Sequence, residues 1–71
     1  MIKLNTIITN TNGREYKVLD TKGSYTLLQD INENEFIVAW NLQKEKDDLY
    51  TWGQGHYFNN LKNAQEYFNN K

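Results

Sequence analysis

The chain has 71 residues, a formal net charge of −1 and no cysteine. That length holds one domain, residues 1–71; the charge balance excludes a strongly cationic nucleic-acid binder, and the absence of cysteine excludes disulfides and thiolate metal sites. A domain this small buries only about 60% of its unfolded surface, so its stability must come from packing, for which the aromatic residues are the main source.

Ile2, Leu4 and Ile8 share one parity and predict a first strand over about Ile2 to Thr9. Asn10-Thr11-Asn12-Gly13 is a turn, since Asn and Gly both tolerate positive φ. Glu15 to Asp20 alternates as a second strand, Thr21-Lys22-Gly23 turns again, and Ser24 to Asp30 is a third strand rich in β-formers. A short polar connection, Ile31 to Asn34, leads to the clearest strand, Glu35 to Leu42. There Phe36, Val38, Trp40 and Leu42 share a face, which assigns Trp40 to the core. Gln43 to Asp48 reads as a charged loop and Leu49 to about Tyr57 as the last strand. Asn59 or Asn60 can cap a helix in which Leu61, Ala64 and Tyr67/Phe68 form an apolar stripe. A helix of about ten residues is not stable alone in water, so the sheet must hold it. The short connections favour antiparallel pairing. The expected fold is α+β: an antiparallel β-meander of four to five strands with one C-terminal helix packed on one face.

No apolar run approaches the roughly 18 residues of a membrane span. The first ten residues lack the apolar region of a signal peptide. The expectation is a cytoplasmic protein with no membrane partner. Charge is uneven along the chain: residues 30–50 hold six carboxylates against two lysines. Eleven asparagines, and seven lysines against one arginine, are read as the coding bias of an AT-rich genome.

Trp52-Gly53-Gln54-Gly55-His56-Tyr57 is the most unusual local sequence. In a regular strand Tyr50, Trp52 and His56 lie on one face and Gly53 and Gly55 on the other. If the helix covers the glycine side, where backbones can approach closely, the three rings are left as an outward ridge. Trp and Tyr dominate interface energetics. The ridge, with Glu45, Asp47 and Asp48 beside it, is therefore the candidate protein-contact surface; a bulge that buries Trp52 is the alternative.

His56 is the sole histidine, and no serine or cysteine motif accompanies it. Nucleophilic catalysis requires such a partner, so His56 reads as a structural or interface residue and the chain as non-catalytic. One histidine without cysteine provides no metal site, and Glu45, Asp47 and Asp48 do not follow calcium-loop spacing. The Gly53-x-Gly55 pair lacks the strand-loop-helix context of a phosphate loop. No cofactor or metal is expected.

The tail from Gly55 to Phe68, with its Gly-x-aromatic strand end, cap and aromatic-striped helix, resembles the close of three-stranded DNA-binding domains of the AP2 and integrase-arm type. That resemblance implies a sheet-face DNA binder, for which Arg14, Lys17 and Lys22 are the available cations. Phe36-Ile37-Val38-Ala39-Trp40 followed by Trp52 to Phe58 is similar to small proteins of phages, plasmids and integrative elements of Gram-positive bacteria. This likeness implies an accessory or counter-defence role, such as anti-restriction or anti-CRISPR inhibition of a host protein. The leading expectation is a non-catalytic module that binds and inhibits or regulates a host protein; DNA binding is the alternative. An unprotected edge strand, with the first as candidate, offers a route to a homodimer.

Overall fold

The computed structural model describes residues 2–71. The strands are β1 (Ile7–Asn10), β2 (Glu15–Lys22), β3 (Tyr25–Asp30), β4 (Phe36–Trp40), β5 (Gln43–Lys46), β6 (Leu49–Thr51) and β7 (Gln54–Phe58), followed by helix α1 (Leu61–Asn69). They form one seven-stranded mixed sheet in the order β5-β6-β1-β2-β3-β4-β7. The α+β class and the C-terminal helix agree with the sequence reading, but the sheet has more strands than expected and is not a pure meander.

The turns follow their residue chemistry. Gly13 takes φ 91° in the β1–β2 turn, and Gly23 takes φ 58° at the first of two loop positions between β2 and β3, where a two-residue hairpin of the primed type needs glycine. Asparagine does more here than coding bias implies. Asn5 and Asn41 hold left-handed backbone at φ 68° and 61°, a conformation Asn tolerates better than most residues. The Asn10 and Asn12 carboxamide oxygens accept from the backbone N–H groups of Asn12 and Arg14. Asn60 caps α1 by accepting from the Asn63 N–H at 2.8 Å.

Three expectations about strands are corrected. The first strand is not Ile2 to Thr9: the left-handed turn at Asn5 breaks it, and pairing begins at Ile7. Gln43 to Asp48 is not a loop: Gln43–Lys46 forms β5, joined to β6 by a tight turn with Asp47 at φ 50°. Leu49 to Tyr57 is two strands, interrupted at Trp52-Gly53. The first strand is also not an edge, since β1 pairs antiparallel with β2 and parallel with β6. That parallel pair is allowed because β2 to β5 supply the long crossover it requires.

The links β4–β5 and β6–β7 contain two residues each, yet join strands five places apart in the sheet. Five strand spacings in a flat sheet are about 24 Å, whereas a two-residue link reaches roughly 11 Å. The sheet must therefore curl. Its inner face holds Ile8, Tyr16, Val18, Leu28, Ile37 and Ala39, with Tyr50 and Trp52 packed on them. Its outer face holds Leu27, Phe36 and Val38 beneath Ala64 and Phe68 of α1. Leu19 follows inward-facing Val18 and so points outward onto the helix cluster, and a bulge there shifts the β2–β3 register. The helix lies over β3, β4 and β7, and the Lys22 ammonium donates to the Asn69 carbonyl near its C-terminus at 2.7 Å, where cations are favoured.

Candidate interaction surface

The break at Trp52-Gly53 decides where the rings go. Tyr50 and Trp52 fall on the inner face, half-buried, and Trp52 meets Tyr16 edge-on with centroids 5.4 Å apart. His56 falls on the outer face, 4.5 Å from the Tyr67 ring of α1. The expected single ridge of Tyr50, Trp52 and His56 is thus split across the sheet. The helix covers the His56 side, not the glycine side.

The glycines make room for indoles. A Cβ on Gly55 would stand 3.0 Å from Trp52 Nε1 and 3.2 Å from Ile37 Cγ2; one on Gly53 would stand 3.2 Å from Cε3 and Cζ3 of Trp40. Trp40 is not core, as its parity predicted, but 41% exposed. Asn41 explains the error. Its left-handed backbone ends the strand at Trp40 and carries Leu42 to the inner cluster, leaving the indole without its expected neighbour.

The outer face therefore carries a group of rings that sequence reasoning missed. Tyr25, Trp40, Gln54, His56 and Tyr67 line an open pocket of about 300 Å³. The sheet register builds it, pairing Tyr25 with Trp40 and Trp40 with Gln54 across three strands, while Tyr67 closes it from the last turn of α1. Lys71 lies against two of these rings, its ammonium 4.1 Å from the Tyr67 centroid and 5.4 Å from that of Tyr25. The sequence signal was limited to the shared parity of Gln54 and His56 on β7; their meeting with Tyr67 depends on how the helix packs.

The strand beside this pocket is a free edge. Among the described residues, β7 pairs only with β4, and β5 only with β6. β5 carries Lys44, Glu45 and Lys46 with a register shift at Glu45, the usual protection of an exposed edge. β7 carries no acidic or basic charge apart from His56, and Tyr57 on it is 58% exposed.

The acidic candidates lie on the β5–β6 hairpin. Glu45 accepts from the Thr51 hydroxyl at 3.0 Å, and Asp47 and Asp48 are exposed at the turn. Of the cations named for a nucleic-acid role, Arg14 bridges Asp30 at 3.0 Å and Glu33 at 3.1 Å, and these hydrogen bonds, Glu33's first, raise its pKa. The Asp30 side chain is 1% exposed and also accepts from the backbone of Asn32 and Glu33, closing the β3–β4 loop. Burial, reinforced by the Asp30 charge, raises the pKa of the nearby Tyr16 hydroxyl. Asp30, Glu33 and Glu35 gather closely, but with Arg14 on two of them the group is an ion-pair cluster. Lys22 is engaged by the Asn69 carbonyl. Lys17 stands on β2, registered with Ile7 and Gln29.

No family model, curated protein or solved structure matches the chain. Among the described residues, no helix is long and apolar enough to cross a membrane.

Proposed function

We propose that the chain is a non-catalytic protein-binding module, a mobile-element or phage accessory protein that inhibits or regulates a host protein. The observation that carries this reading is the free edge of β7, which holds no Asp, Glu, Lys or Arg, flanked by exposed Trp40 on one side and exposed Tyr57 on the other. An unpaired strand edge supplies a ladder of backbone donors and acceptors to an incoming chain. Aromatic side chains beside it supply the contact area that anchors an interface. The exposed carboxylates of Asp47 and Asp48 add an acidic feature that favours a partner with basic character.

The test is capture of a partner from host lysate by the wild-type chain and by a Trp40→Ala, Tyr57→Lys double variant. Trp40 and Tyr57 are 41% and 58% exposed, so the variant should stay folded with a modestly lower melting temperature, and circular dichroism checks that it does. A specific protein retained by the parent and lost from the folded variant is the expected result. Equal retention, or no specific protein at all, refutes the reading.

A further inference from the structure

We propose that the outer pocket walled by Tyr25, Trp40, His56 and Tyr67 is a receptor for a lysine side chain of a protein partner, and that Lys71, whose ammonium rests against two of these rings, competes with that lysine in cis. The inference rests on the protein-binding reading for the source of that lysine. The pocket is open and about 300 Å³ in volume, room for the end of one long side chain. Four of its five lining residues are aromatic, and the faces of such rings attract cations through the ring quadrupole. The chain itself supplies the ligand chemistry: the Lys71 ammonium lies over two of the rings, at 4.1 Å from Tyr67 and 5.4 Å from Tyr25.

Two further features favour a cation there. Tyr67 belongs to the last turn of α1, and the C-terminal end of a helix carries partial negative charge. No basic residue lies in that turn of the helix, so cations must come from outside it, as Lys22 and Lys71 do. The pocket also opens beside the free β7 edge, with Gln54 and His56 belonging to both. A partner strand laid along β7 would deliver its side chains to the pocket without crossing the helix.

The probe is N-acetyl-trimethyllysine methylamide, with its neutral tert-butyl isostere as control. The quaternary ammonium cannot donate hydrogen bonds, so it isolates attraction to the rings. Binding is read from the Trp40 indole N–H resonance in the wild-type and Lys71→Ala chains. Expected is a saturable shift by the cationic probe alone, tighter in Lys71→Ala by about two- to fivefold, the range an exposed cation–π contact represents. Tyr67→Leu should abolish it; if circular dichroism shows that variant unfolded, Tyr25→Leu takes its place. Equal shifts from the isostere, no saturable shift in Lys71→Ala, unchanged affinity on removing Lys71, or binding retained by the folded Leu variant would each overturn the proposal. Failure here with partner capture intact removes only the pocket's role; probe binding without any captured partner removes the protein-binding reading.

Discussion

Trp52 lies across Gly55 on the inner face, with Tyr16 against its edge. Trp40 lies across Gly53 on the outer face, with two-fifths of its surface open to solvent. The local chemistry is the same in both, an indole resting where a strand or link has no Cβ. The difference is what stands on the far side of the ring. Trp52 is caught between β7 and the core residue Tyr16, whereas Trp40 has a sheet below and an open pocket beside it. An indole used for stability and an indole left for contact can therefore be told apart by their second neighbour, not by the glycine beneath.

The largest expected effect comes from removing the inner ring, with the outer ring as the comparison. Trp52→Ala should lose about 3 kcal/mol of unfolding free energy, at the lower end for a buried aromatic because Trp52 is only half-buried. Trp40→Ala should lose about 1 kcal/mol, since much of its area never left water. Urea unfolding of both variants measures the gap. Equal losses would mean that Trp40 is as much a part of the core as Trp52, and the division of labour would fall.

That division was only partly legible in the sequence. The helix, its Asn60 cap and its Ala64/Phe68 stripe were readable because a 3.6-residue period and a capping side chain are local signals. Strands β2, β3 and β4 were readable from β-branched and aromatic content. What failed was parity across special backbone. Asn41 at φ 61° and the Trp52-Gly53 link each reset which face the following residues occupy, and a one-residue slip moves every later side chain to the other side. Strand β5 was hidden because Gln43–Lys46 has no apolar residue at all; its pairing is made through the β6 backbone and a bulge at Glu45. The split of Tyr50 and Trp52 from His56 follows from the same link. The pocket of Tyr25, Trp40, His56 and Tyr67 needed the register of three strands and a helix, which no local pattern contains.

Adding a methyl group beneath each ring sharpens the comparison. Gly55→Ala places a Cβ 3.0 Å from Trp52 Nε1 and 3.2 Å from Ile37 Cγ2. Ile37 is fully buried and Trp52 is held by Tyr16, so neither can yield cheaply. Overpacking of this kind costs about 1–3 kcal/mol, and Gly55→Ala should destabilise the fold within that range. The matching readout is a shift in Trp52 fluorescence, measured in a Trp40→Phe background. An unchanged spectrum with unchanged stability would show that the inner indole is free to move, against the packing described here.

The smallest effect is also the most discriminating, because its sign should reverse. Gly53→Ala places a Cβ 3.2 Å from two carbons of Trp40, nearly as tight as the clash at Gly55. The obstacle, however, is a ring already exposed at 41%, which can rock outward by a few tenths of an ångström into solvent. The backbone at Gly53 is not in the left-handed region, so alanine introduces no strain there. Replacing glycine where the backbone permits it stabilises by about 0.4–1 kcal/mol through the unfolded chain. That gain should offset the ring's displacement, leaving Gly53→Ala neutral or slightly more stable than the parent. Thermal melting of the two glycine variants side by side gives the result: a lower midpoint for Gly55→Ala and an equal or higher one for Gly53→Ala. Two equal falls would place both indoles in rigid surroundings and take away the mobility on which a contact role for Trp40 depends.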